Sequence, residues 1–443
     1  MDFPLAPIPS IAVGELSVGT ASTVNSRRKR AAGGAPPSPR STKRSTYSET
    51  ERSPLDRAGS DTARSSEPRS RPMCFRISNV PLTWGKEDLV EHLKRVGFVD
   101  KGHNRVSLYP ACSGDGQVAL LNLVEYFEWF RQLSITGSDT LPGCGSETNL
   151  QIDRHFYGLT PLNNPKKNIA ADVVAVTGLA GHAYGSWKNR TKNRMWLHDF
   201  LPCEFNNIRI MTYGYDTTLQ SADDTDPANV NPAKRILDLR RAFVTSLTNA
   251  RSSPERPIVF LGHSLGGILI LQALLQCKLH SMHQDLIEAT RTICFFGTPQ
   301  KGLRTAELEE AVNEEPNKVA NLLFQLRVGS EFLETQADDL VEVLSQCNVV
   351  TFYETVETAT VTKSSTTGKW TRDGPPAIMV TKDSAQLFLP NEQRIPVSSN
   401  HSDIVKFPDP SNETYRSVVT QIKMCIDMVV RQREISRKIT HIS

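Results

Sequence analysis

One serine in the chain stands where its residue type and spacing can do chemistry: Gly262-His263-Ser264-Leu265-Gly266-Gly267. The apolar run Pro257–Leu261 precedes it and Ile268–Leu275 follows. The pattern is G-x-S-x-G between a buried strand and a buried helix, a nucleophile elbow. A serine that attacks a carbonyl must stand clear of its backbone on a tight turn, and glycines two residues to either side let strand and helix pass without a Cβ collision. The helix start then offers backbone N–H groups to a developing oxyanion. Three fixed positions recur by chance at roughly 0.1–0.2 occurrences in a chain of this length. The flanking strand and helix therefore carry the argument, and a serine that only caps a helix in another doubly wound fold is the alternative.

The elements that must hold this serine come from a chain of 443 residues, room for a large domain and a small one. Residues 1–72 carry 12 Lys/Arg against 7 Asp/Glu, and the rest carries 39 against 41. The basic excess thus belongs to a Ser-, Pro- and Arg-rich tail that reads as disordered, and the remainder shows no bulk preference for nucleic acid. Within the tail, Arg27-Arg28-Lys29-Arg30 and Lys43-Arg44 resemble a bipartite nuclear-localisation pattern, against a solvated basic linker. Eight cysteines without a C-x-x-C pair read as buried free thiols of a reducing compartment. No metal or cofactor is called for, no run is long and apolar enough to span a membrane, and Met1 opens no signal-peptide pattern, so the chain reads as intracellular and soluble.

Residues 73–156 give strand, helix, strand, strand, helix, strand: Cys74–Pro81, Gly85–Val96, Arg105–Tyr109, Gln117–Leu123, Glu125–Leu133 and Leu150–Asp153. That order is a ferredoxin-like α+β plait. Gly116–Asn122 lacks the aromatic platform on which RNA bases stack, so a protein-interaction domain is expected. From about residue 165 to 435, apolar strands at Ala171–Thr177, Ile208–Tyr213, Pro257–Leu261, Thr292–Phe296, Asn348–Tyr353 and Ala377–Val380 alternate with helices. The helices are Asn231–Ala250, the one after the elbow, an acidic stretch Thr305–Ser345 and Thr414–Val430, with Trp196–Leu201 a helix start stopped by Pro202. Strands apolar throughout and alternating with helices predict a parallel sheet covered on both faces, an α/β fold.

Gly178-Leu179-Ala180-Gly181-His182, Ser186-Trp187, Trp196-Leu197 with Asp199-Phe200-Leu201-Pro202, Thr212–Asp216, the elbow and Phe296-Gly297-Thr298-Pro299 occur in one order. Together they resemble the α/β-hydrolase domain of the serine active site-containing protein family, and more distantly lipases of the glycosylphosphatidylinositol-inositol deacylase type. The resemblance implies an α/β-hydrolase fold, a lipid-like ester substrate and association with mitochondrial or endoplasmic-reticulum membranes. Fungal relatives often couple such a domain to a nucleotide-hydrolysing module. Here Gly368-Lys369-Trp370 lacks the glycine and the Ser/Thr of a phosphate loop, so no nucleotide is expected.

In an α/β-hydrolase the order is serine, acid, histidine. Glu354, at the end of Val349–Tyr353, supplies the acid, with Glu357 in reserve. His401, in the loop Ser399–Ser402, supplies the base, at a His-Ser pair that the family shares. Leu265 and Leu179 would lend backbone N–H groups to the oxyanion hole. Thr177 departs from the family, whose His-Gly at this place becomes Thr177-Gly178, and Gln300 stands where relatives often carry His. Thr177, Gly178, His182, His263 and Tyr215 are the expected pocket residues, and Thr305–Ser345 the expected cap. A serine esterase with a Ser–His–Glu triad is the reading, beside a hydrolase-fold interaction module with a weak or idle site.

Overall fold

The computed structural model describes residues 72–99, 104–124, 128–141, 149–165, 168–179, 181–216, 232–304, 323–360, 362–363, 370–371 and 373–440. The basic tail with its Arg27–Arg30 and Lys43-Arg44 clusters, Cys144, Ala180 and Gly368-Lys369 lie outside them. Residues from Glu67 onward group as one compact unit that holds two main sheets.

The first sheet has five strands: β1 (Met73–Val80), β2 (Arg105–Pro110), β3 (Gln117–Leu123), β4 (Ser138–Thr140) and β5 (Gln151–Asp153), in the order β2-β3-β1-β5-β4. The helices α1 (Lys86–Lys94) and α2 (Glu128–Thr136) complete a ferredoxin-like plait, extended at one edge by the short β4. Phe75 and Ile77 of β1, Leu89 and Leu93 of α1 and Phe130 of α2 form its core. Phe75 packs against Phe130 at 5.7 Å with the rings tilted by 47° and is fully buried, so it offers no face to a base.

The second sheet has seven strands: β6 (Gly158–Pro161), β7 (Ala171–Val176), β8 (Ile208–Gly214), β9 (Ile258–His263), β10 (Thr290–Phe296), β11 (Asn348–Glu354) and β12 (Glu392–Val397). Their order is β12-β11-β10-β9-β7-β8-β6, all parallel except β6. The elbow strand β9 is central. After β7 the chain steps outward to β8, then returns to the other side of β7 for β9, so the order reverses between β7 and β9. Loops leaving the carboxyl ends of strands at such a reversal enclose a crevice. It is an α/β-hydrolase fold.

Every residue of β7 and β9 is buried, because helices cover both faces. Val174, Val176 and Phe260 face α5 (Pro232–Ala250), α6 (Leu265–Leu279) and α8 (Glu331–Leu344); Val173, Ala175, Val259 and Leu261 face Trp187, the short α3 (Trp196–Asp199) and α4 (Leu201–Glu204), and α9 (Glu413–Thr440). The helix α6 is buried from Leu265 to Cys277, which fits its apolar sequence on all sides. A short α7 (Gln284–Ala289) returns the chain to β10.

Four expectations need correction. The last strand of the sheet is β12, not Ala377–Val380; among the described residues Ala377 pairs with Thr358, outside the large sheet. Glu392-Gln393-Arg394-Ile395-Pro396-Val397 escapes an apolar criterion because it is an edge strand, where polar residues and a proline are tolerated. The described part of Thr305–Ser345 is not a cap. Leu333, Leu340, Val343 and Leu344 of α8 lie in the core, and Gln336 accepts a hydrogen bond from Gln272 of α6 at 2.8 Å. Pro202 stops no helix; it sits in the first turn of a helix at Leu201–Glu204, where a missing N–H costs nothing. Finally, the large sheet takes in β6, ahead of residue 165.

The small plait is joined to the large sheet. Arg76 of β1 pairs with Asp153 at 2.9 Å, and donates to the Tyr157 carbonyl and to Thr160 Oγ1 of β6 at 2.8 and 2.9 Å. Leu120 of β3 packs within the second core of the large sheet. Among the described residues, no helix is long and apolar enough to cross a membrane.

Candidate active site

Ser264 has φ +52° and ψ −126°, a strained conformation for a residue with a Cβ. The surroundings enforce it. Its N–H donates to the Phe296 carbonyl at 3.0 Å, and its own carbonyl accepts from Gly267 N–H at 3.0 Å. A methyl group on Gly266 would come within 2.3 Å of the Val176 carbonyl oxygen. One on Gly178 would reach 2.8 Å from the Ser264 Cβ. The loop after β7 is therefore pressed against the elbow, and the glycines of both are steric requirements.

Glu354 ends β11 and is buried. Its Oε1 accepts the N–H groups of Met379 and Val380 at 2.7 and 3.1 Å, and its Oε2 lies 2.5 Å from His401 Nδ1. A carboxylate only accepts, so Nδ1 carries the proton and Nε2 is the basic nitrogen. Nε2 lies 3.1 Å from Ser264 Oγ. Three residues that are 137 and 47 positions apart in the chain thus form one line of hydrogen bonds. Glu357, the reserve acid, is exposed in the following loop.

His401 is fixed through its backbone as well. Its N–H donates to Thr358 Oγ1 at 2.9 Å, and its carbonyl accepts from His263 Nε2 at 2.9 Å. The two imidazoles lie 5.2 Å apart at 39°. Burial, with the nearby His401, pushes the His263 pKa down to about 3, so this ring is neutral. Under the His401–Glu354 pair runs Gly297, φ +52°, where a methyl group would stand 3.0 Å from His401 Nδ1.

The remaining pocket expectations divide. Thr177 is buried; its hydroxyl donates to Ser186 Oγ at 2.7 Å, and Ser186 Oγ accepts the N–H of His182 at 3.0 Å. Tyr215 donates its hydroxyl to the Thr177 carbonyl at 2.8 Å. Both brace the loop that carries Gly178 and Leu179. His182 does not line the site. Its Nδ1 accepts the N–H groups of Tyr184 and Gly185, and its Nε2 donates to the Arg154 carbonyl at 2.6 Å, tying the loop to the end of the small sheet. Burial lowers its pKa. Gln300 is buried beyond the turn at Gly297, and neither of its amide atoms has a partner among the described residues. Among those residues, no acceptor takes up the N–H of Leu265 or of Leu179. The first turn of a helix leaves the Leu265 donor free, and Leu179 offers its own from the loop after β7.

Sequence reasoning missed Gly297, Thr358, Met379 and Val380. The glycine was visible in Gly297-Thr298-Pro299 as a turn after a strand. The two backbone donors had no signal, since any residue type supplies an N–H.

No family model matches the chain. In sequence it is similar to protein SERAC1 of Mus musculus, 28% identical over 225 residues that cover 46% of this chain and 33% of that protein. It is also similar to protein SERAC1 of Bos taurus, 27% identical over 275 residues, 56% of this chain and 38% of that protein. The chain thus spans little more than a third of the length of these curated relatives. Among solved structures, a lipase-esterase related protein from Clostridium acetobutylicum superposes with a TM-score of 0.34 at 10% identity, over 60% of this chain and 98% of that one. The mature lipase BlEst2 of Bacillus licheniformis does so with a TM-score of 0.34 at 15% identity, over 59% and 97%. The fold assignment rests on the chain's own strand order and elbow.

Proposed function

We propose that the chain is a serine hydrolase that cleaves a carboxylic ester of lipid type through an acyl-enzyme. The observation that carries this reading is the Ser264–His401–Glu354 hydrogen-bond line, at 3.1 and 2.5 Å, with the serine on a strained elbow. In this reading Ser264 Oγ attacks the acyl carbonyl while His401 Nε2 takes its proton. The imidazolium stays paired with Glu354, and His401 then returns the proton to the leaving alcohol. A water activated by the same nitrogen releases the acid. The N–H groups of Leu265 and Leu179 receive the oxyanion. The Thr177-Gly178 departure is compatible with this role, since the donors are backbone and the loop is held by Ser186 and Tyr215.

The test is labelling by a fluorophosphonate, followed by turnover of an ester series of rising acyl length. Wild type is expected to label and Ser264→Ala to lose both labelling and turnover, the latter by around 10⁶-fold. Folded wild-type protein that never labels, or labelling that survives in Ser264→Ala, refutes the reading.

A further inference from the structure

The seam between the small sheet and the large one holds a cavity of about 230 Å³ whose walls are chemically one-sided. Arg105 of β2 and Lys188, Lys192 and Arg194 line it, opposite a single carboxylate, that of Asp199. That carboxylate is already committed: it accepts from Met195 N–H at 2.9 Å and pairs with His198 Nδ1 at 2.8 Å. His198 is in turn bonded to Tyr109 of the small sheet at 2.8 Å. Among the described residues none of the four cations has an ion-pair partner. Lys188 is also partly buried, and that burial lowers its pKa. Arg105, Lys192 and Arg194 are exposed and gather around the partly buried Lys188, and an anion that enters would relieve the repulsion among the four like charges.

The backbone that carries the cations is held in place before any ligand arrives. Three of them sit on a hairpin in which Lys188–Asn189 pairs with Arg194–Met195. Asn189 closes the hairpin, accepting from Lys192 N–H at 2.9 Å, and donates to the Lys406 carbonyl at 3.1 Å. Trp196 donates to the Val405 carbonyl at 2.9 Å and pins the hairpin's far end. Arginine forks and lysine point charges suit an anion with several acceptor oxygens. The volume is below the roughly 300–1,000 Å³ of pockets for drug-sized molecules, which restricts the occupant to a small group.

We propose that this cavity binds a phosphate group carried by a small headgroup, either a free phosphomonoester or the headgroup of a phospholipid. The site is separate from Ser264, and it stands or falls independently of the esterase reading. The test uses the full chain at low salt, with glycerol 3-phosphate in calorimetry and with cosedimentation on phosphatidylcholine vesicles with and without phosphatidic acid. Wild type is expected to bind a phosphate probe in a salt-sensitive manner. Lys188→Gln with Arg194→Gln should weaken that binding about tenfold or more, while fluorophosphonate labelling is unchanged. Arg105→Gln, on an exposed strand position, gives the same direction should the double variant not fold. Binding of glycerol 3-phosphate identifies a free phosphomonoester; retention on phosphatidic acid vesicles alone identifies a lipid headgroup. The proposal is overturned if wild type binds neither probe. It is equally overturned if the hairpin and Arg105 variants bind as wild type does, or if Lys278→Gln, distant from the seam, weakens binding as much.

Discussion

Glu354 spends one oxygen on two backbone N–H groups and the other on His401, so its replacement is informative in a way that the serine's is not. In Glu354→Gln an amide N–H₂ must face either the Met379 and Val380 donors or the protonated Nδ1. The imidazole is then released or held in the wrong tautomer, and kcat should fall about 10³–10⁴-fold with the fold retained, as checked by circular dichroism and ester turnover. His263 acts one bond further away, on the His401 carbonyl. His263→Phe keeps the packed ring and removes the hydrogen bond, which should lower kcat about tenfold. The same variant has a pH signature. A histidine held at about 3 in the folded chain, below its ordinary value of 6.5, disfavours the folded state as pH falls from about 6.5 towards 3, because the unfolded chain takes up the proton. Over that window the melting temperature of wild type should drop more steeply than that of His263→Phe. Equal slopes would show that His263 is not a buried neutral group.

At the scale of elements, the candidate site is a set of strand ends: β7 gives the Gly178 loop, β9 the elbow, β11 Glu354 and β12 the loop of His401. Gly178→Ala places a methyl group against the Ser264 Cβ and the His263 carbonyl; in the proposed reading turnover should fall about 10²–10³-fold, the cost of a displaced oxyanion donor, and the melting temperature should fall with it, by about 1–3 kcal/mol of stability. Much of this was legible in the sequence. Strands buried on both faces announce themselves as apolar runs, and the elbow, Glu354 and His401 follow from chain order. What was not legible was decided by neighbours. The edge strand β12 is polar because one of its sides lacks a partner strand, and α8 is acidic on its exposed face while its leucines fill the core. His182 reads as a pocket residue by position, yet its ring is fully used by backbone groups on the other side of the loop. The N–H groups of Met379 and Val380 leave no trace in residue type at all.

Across the whole molecule, the two ends of the large sheet divide the work. At the amino ends of β7, β8 and β9, the buried Asp172 is ringed by Arg209, Arg251 and Arg256 at 2.9, 2.9 and 3.3 Å. Asp172→Asn would leave three cations without their shared counter-charge, a loss of about 3–5 kcal/mol in chemical denaturation, with kcat of the folded fraction unchanged. A matching fall in kcat would instead couple that end to the site. The strand order carries one more consequence. Ser264, Glu354 and His401 become neighbours only when β12, an edge strand and the last in chain order of the seven described, has docked on β11. In the proposed reading, a nascent chain that ends anywhere before residue 401 holds Ser264 without its base, so fluorophosphonate labelling is expected only once β12 and the loop after it have been made.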